Sequence, residues 1–157
     1  FMELVNADFN LAVDAGKLDS RFNGLKWITP HYIKDPLKEI NLLADAKNIL
    51  LQVEDRKIIV TDYQIFSSML SNKIASPNKW YDDLSIPGKE NRYYNDHKNF
   101  FLSKILKNKI ERIYFIGGDK HKLSFFEELK KNNDCIVSKK LNKLLTEFSI
   151  NNCKEIL

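Results

Sequence analysis

The sequence predicts an α/β fold, a three-layer, Rossmann-like sandwich around a mostly parallel central sheet, and three observations lead there. Two runs rich in β-branched and aromatic residues, Lys57-Ile58-Ile59-Val60-Thr61 and Ile110 to Ile116, lack polar alternation and so suit strands buried on both faces. Segments with helical spacing follow each of them, and alternating strands and helices are the pattern of a parallel sheet with right-handed crossovers. A chain of 157 residues, 43% hydrophobic and 29% charged, is long enough for one packed core and far from the composition of disorder. The expectation is therefore one soluble domain spanning residues 1–157.

Taken in order, Phe9 to Ala15 is short and apolar and stops before Gly16, which reads as a strand. Gly24 precedes Leu25 to Thr29, a second extended segment or a turn, which ends at Pro30. Asp35-Pro36 opens a helix, with Asp35 as N-cap and Pro36 in the first helical position. Leu37, Ile40, Leu43 and Leu50 continue it with the spacing of one helical face. The strand at Ile58 to Thr61 runs into a helix-like Tyr63 to Leu70. A long irregular stretch from Ser71 to Arg92 then carries Pro77, Pro87 and Gly88 together with Trp80 and Tyr81. Loops of this length inside a compact domain are uncommon unless they have a function. Tyr93 to Lys107 is helical by spacing, Ile110 to Ile116 is a strand closed by Gly117-Gly118, and Lys122 to Lys131 is a helix. Cys135 to Val137 and Leu144 to Phe148 end the chain as strands, and Ile58 to Thr61 and Ile113 to Ile116 are expected as central parallel neighbours.

The charge argues against a nucleic-acid partner, because 25 basic residues face 21 acidic ones and the lysines are dispersed along the chain. Lys139, Lys140 and Lys143 form the nearest cluster and read as a solvated face. No stretch approaches the roughly 18 apolar residues of a membrane span. The opening Phe1-Met2 reads as the start of a fragment cut from a larger protein.

Three expected strands end in an aspartate: Val13-Asp14, Thr61-Asp62-Tyr63 and Gly117-Gly118-Asp119. Ligands of open α/β sheets lie beyond the carboxyl ends of the strands, so Asp14, Asp62 and Asp119 are candidates to converge there. Capping of the following helices is the commoner role for such residues, and no metal is assigned to them. Gly117-Gly118 lies at a strand-to-helix turn, where free N–H groups can hold an anion, yet it lacks both the dinucleotide and the P-loop spacing. His31, His97 and His121 show no ligand spacing with either cysteine, and no nucleophile with a histidine partner stands out. Neither a catalytic residue nor a cofactor is assigned. Trp80, Tyr81 and Asp82 combine aromatic faces with a carboxylate, the mixture that carbohydrate sites use, although anchoring of the loop to the core is the commoner role for such aromatics.

At Ile58 to Gln64, Ser76-Pro77, Trp80-Tyr81-Asp82 and Ile113 to Ile116, the chain resembles a bacterial extracytoplasmic domain. The domain is the C-terminal one attached to polytopic membrane glycosyltransferases that use lipid-linked sugar donors, the superfamily of the dolichyl-phosphate-mannose protein mannosyltransferases. The likeness runs from about Gly24 to Cys153. It implies a periplasmic or cell-surface appendage of an inner-membrane protein, with the transmembrane portion of the same polypeptide as partner. Such an appendage either helps to bind a glycan or lipid-linked sugar acceptor or braces the enzyme. The superfamily's catalytic acid lies in the transmembrane portion, so no catalytic residue carries over. A stand-alone cytosolic α/β enzyme or nucleotide-binding domain is the competing expectation. Cys135 and Cys153, the two cysteines, are separated by 17 residues, and their even number together with the extracytoplasmic resemblance implies a disulfide.

Overall fold

The structure, a computed structural model, describes residues 8–70, 74–75, 86–118 and 120–151. The chain divides into two compact units, one up to Gln52 and one from Val53 onward.

In the first unit, aspartate side chains organise the backbone. Asp8, Asp14 and Asp19 each accept an N–H bond from the residue two positions on, and each opens a short 3-10 turn: Phe9–Leu11, Ala15–Lys17 and Ser20–Phe22. The strand expected over Phe9 to Ala15 is therefore reduced to β1 (Val13–Asp14), because local side-chain bonds compete with a ladder for the same N–H groups. It pairs antiparallel with β2 (Lys26–Trp27). Helix α1 (Pro36–Gln52) begins as its sequence predicts, with Asp35 Oδ1 accepting the Lys38 N–H at 3.1 Å. It buries Ile40, Leu43, Ala46 and Leu50. The buried Glu39 carboxylate accepts from the Trp27 indole at 2.8 Å and the Thr29 hydroxyl at 2.8 Å, which fastens α1 to the segment after β2.

The second unit is built on β3 (Lys57–Thr61), α2 (Phe66–Met69), β4 (Ile74–Ala75), α3 (Tyr94–Lys107), β5 (Arg112–Ile116), α4 (Lys120–Lys131), β6 (Ile136–Lys140) and β7 (Leu145–Ile150). Its five-stranded sheet has the order β4-β3-β5-β7-β6. As the two apolar runs predict, β3 and β5 are parallel neighbours inside the sheet, with Ile58 opposite Ile113 and Val60 opposite Phe115.

The mostly parallel sheet of a three-layer Rossmann-like sandwich is not what forms. Of the four ladders, β3 with β4 and β3 with β5 are parallel, whereas β7 is antiparallel to both β5 and β6. The physical reason is the connection between the last two strands. Residues 141–144 are far too few for a crossover, so β6 must turn back on itself as a hairpin and β7 slots in beside β5. Asn142 Oδ1 holds that turn by accepting the N–H groups of Leu144 and Leu145, both at 2.8 Å.

One face of this sheet presents Ile58, Val60, Ile113, Phe115, Ile136 and Phe148, and these pack with Phe101, Leu102 and Ile105 of α3 and Phe125, Phe126 and Leu129 of α4. The rings meet edge to face, Phe125 lying 5.6 Å from Phe101 and 5.3 Å from Phe126. Such pairs add roughly 0.5–1.5 kcal/mol each beyond the area they bury. The opposite face carries a polar network. Tyr114 and Ser149 donate to Glu147 at 2.8 and 2.7 Å, and Arg112 donates to Asp55 at 2.7 Å. Burial pushes the Tyr114 phenol up, and its bond to Glu147 adds to the shift.

Candidate functional site

Register alone brings the ends of β3 and β5 together: Thr61 lies opposite Ile116, so Asp62 and Gly117 leave the sheet side by side. Gly117 has φ +153°, a conformation rarely open to other residues, and this lets the backbone turn directly from β5 toward α4. Its N–H donates to the Leu144 carbonyl at 3.0 Å, which ties the turn to the β6–β7 hairpin. On the β3 side, the Thr61 hydroxyl accepts the Tyr63 N–H at 3.0 Å and Tyr63 is half-buried.

The group that joins the two ends is Lys122, in the first turn of α4. Its side chain is fully buried and its ammonium forms an ion pair with the Asp62 carboxylate, whose side chain is 42% exposed. A half-solvated carboxylate over a buried cation is a fixed pair, and its geometry positions Asp62 at the rim of the strand ends. Lys122 was not singled out from the sequence, yet a signal existed. It stands three, four and seven residues before Phe125, Phe126 and Leu129, at the head of the helix's apolar stripe.

Of the expected site residues, the structure thus gathers Asp62, Tyr63, Gly117 and Gly118. Asp14 belongs to the first unit and caps a turn there: Oδ1 accepts from Gly16 N at 2.7 Å and from Gly24 N at 3.2 Å, and these two N–H bonds lower its pKa. Gly24, at φ +84°, supplies the left-handed turn that this second bond needs. Trp80, Tyr81, Asp82 and Asp119 lie outside the described residues, as does Cys153. Cys135 directly precedes β6 and is not a free thiol. Its carbonyl accepts the Asn151 N–H at 2.9 Å, extending the hairpin ladder toward the C-terminus.

The chain matches no family model, no curated protein and no solved structure. What the site can do is therefore argued from its own chemistry. Among the described residues no group of three or more His, Cys, Asp and Glu side chains is placed to hold a metal ion. A cleft of about 700 Å³ opens near the start of β5, lined by Asp55, Leu106, Lys109, Arg112 and Asn151 among others. Arg112 is committed there to Asp55 and, at 3.3 Å, to Glu147. At one end of β5 Arg112 meets Asp55 and Glu147, and at the other Lys122 meets Asp62, an arrangement suited to holding shape and to polar contacts with a ligand.

Proposed function

We propose that this chain is a non-catalytic extracytoplasmic domain of a membrane glycosyltransferase that uses lipid-linked sugar donors, contributing acceptor or glycan contacts beside the transmembrane enzyme. The observation that carries the reading is the state of Cys135. Its placement is that of a bonded rather than a free thiol, and a disulfide there would persist in an oxidising compartment outside the cytoplasm. The resemblance at Ile58 to Gln64 and Ile113 to Ile116 supports it independently. Among the described residues no helix is long and apolar enough to cross a membrane, so the bilayer-embedded part of such an enzyme is sought in the rest of its reading frame.

The competing reading, a cytosolic nucleotide-binding enzyme, draws on the Gly117-Gly118 turn beside the buried Lys122. Incubation of the purified chain with a lipid-linked sugar donor and peptide acceptors, and separately with sugar nucleotides, distinguishes the two. The proposal expects no transfer and no hydrolysis. Turnover by the chain alone that disappears in Asp62→Asn would replace it with the enzyme reading.

A further inference from the structure

Helix α3 has a second face. Its core face is made by Tyr94, Phe101, Leu102 and Ile105. On another side Tyr93, Phe100, Lys104 and Lys107 succeed one another at steps of seven, four and three residues, which places them on a single stripe. Tyr93 is 54% and Phe100 44% exposed, high values for aromatic side chains on a helix that already has a buried face. Each ring carries a cation of its own segment. The Arg92 guanidinium lies 4.5 Å from the Tyr93 centroid, and the Lys104 ammonium 5.1 Å from that of Phe100.

Charge is concentrated at the same place. Between Lys89 and Lys109, six basic residues stand against Glu90 and Asp96, an excess equal to the +4 of the whole chain. The residues outside this segment sum to zero net charge. Lys89 and Lys98 turn toward Glu128 of α4, whereas Arg92, Lys104, Lys107 and Lys109 take no part in those pairs.

The geometry points to a docking surface for an anionic lipid bilayer, with the α3 stripe lying in the headgroup layer. Tyrosine and phenylalanine rings settle at that interface, lysine stems follow them, and the cations meet the lipid phosphates. Single-stranded nucleic acid is the other polyanion that basic and aromatic surfaces recognise, but it needs ring faces open for base stacking, and here one face of each ring is already taken by a cation of the chain. Membrane binding by α3 goes beyond the proposed function. It requires no transmembrane partner, so its failure would leave the compartment assignment standing, and the reverse also holds.

Co-sedimentation of the chain with vesicles of phosphatidylcholine, alone or mixed with phosphatidylglycerol, tests it. The expected result is pelleting with the anionic vesicles only, diminishing as salt rises. At roughly fivefold per lysine, Lys104→Gln combined with Lys107→Gln lowers the partition coefficient about 25-fold. Tyr93→Ser with Phe100→Ser lowers it by roughly tenfold or more. Lys139→Gln with Lys140→Gln on β6 leaves it unchanged, and circular dichroism with thermal melting confirms that every variant is folded. Four results would overturn the inference: no pelleting with anionic vesicles, equal pelleting with neutral ones, binding indifferent to the α3 variants, or displacement from vesicles by poly(U) at equal phosphate concentration.

Discussion

Lys122 and Asp62 are an unequal pair, one side chain wholly buried and the other 42% exposed, and that asymmetry makes their contributions separable. Removing the carboxylate charge takes the Asp62 ion pair from a buried ammonium, whereas removing the lysine leaves a carboxylate that water can still reach. Breaking a buried pair from the side that leaves an uncompensated interior charge costs several kcal/mol, and solvent access at Asp62 reduces this. Asp62→Asn is therefore expected to destabilise the fold by about 1–3 kcal/mol, whereas Lys122→Met, similar in length and apolar, stays within about 1 kcal/mol of the parent. Urea denaturation midpoints of the two variants check the order. Equal losses, or a larger loss in Lys122→Met, would mean that the lysine acts through contacts other than its charge. At this scale the sequence was partly legible. Asp62, Tyr63, Gly117 and Gly118 stood out because strand ends are punctuated, and the structure places them together. The lysine that fixes them did not, because a single helical lysine is ordinarily a solvated one.

At the scale of elements, what could be read followed from how local each cause is. Helix α1 begins where Asp35-Pro36 predicts, because N-capping and the fixed proline φ act within one turn. Strands β3 and β5 could be placed as buried parallel neighbours because runs apolar on both faces have few other places to go. Strand direction at the C-terminus is a different kind of information. The segments Cys135 to Val137 and Leu144 to Phe148 read as strands, but their sense depends on connector length, and weighing the residues 138–143 between them against the dozen or so needed for a crossover predicts the hairpin. The end of α3 holds another local feature. Lys109 adopts φ +49° just after the helix, with the Ile110 N–H reaching back to the Ile105 carbonyl at 3.0 Å, a position where glycine is the usual occupant. A left-handed conformation costs a side chain roughly 1–2 kcal/mol, and glycine's greater unfolded-state freedom takes back part of that difference. Lys109→Gly should accordingly raise stability by about 0.5–1 kcal/mol, read as a higher urea midpoint at unchanged slope. A lower midpoint would show that the lysine side chain, which lines the cleft beside Arg112, makes a stabilising contact that outweighs the backbone strain.

At the scale of the whole molecule, the proposed place of the chain is outside the cytoplasm, and the covalent state of its cysteines bears on this more directly than any surface feature. Cys135 directly precedes β6, its carbonyl accepts the Asn151 N–H beyond β7, and Cys153 follows two residues later in the chain. A bond between the two closes a loop over the 17 residues that separate them and stabilises the fold by roughly 3 kcal/mol in the chain-entropy model. In a reducing cytoplasm the same two residues would persist as thiols. The decisive measurement is made in cells expressing the complete reading frame: acid quenching, alkylation of free thiols, digestion without reduction, and mass spectrometry of the peptides that contain Cys135 and Cys153. The account predicts one disulfide-linked peptide pair carrying both residues. Recovery of both cysteines as alkylated thiols would contradict it, and with it the extracytoplasmic assignment.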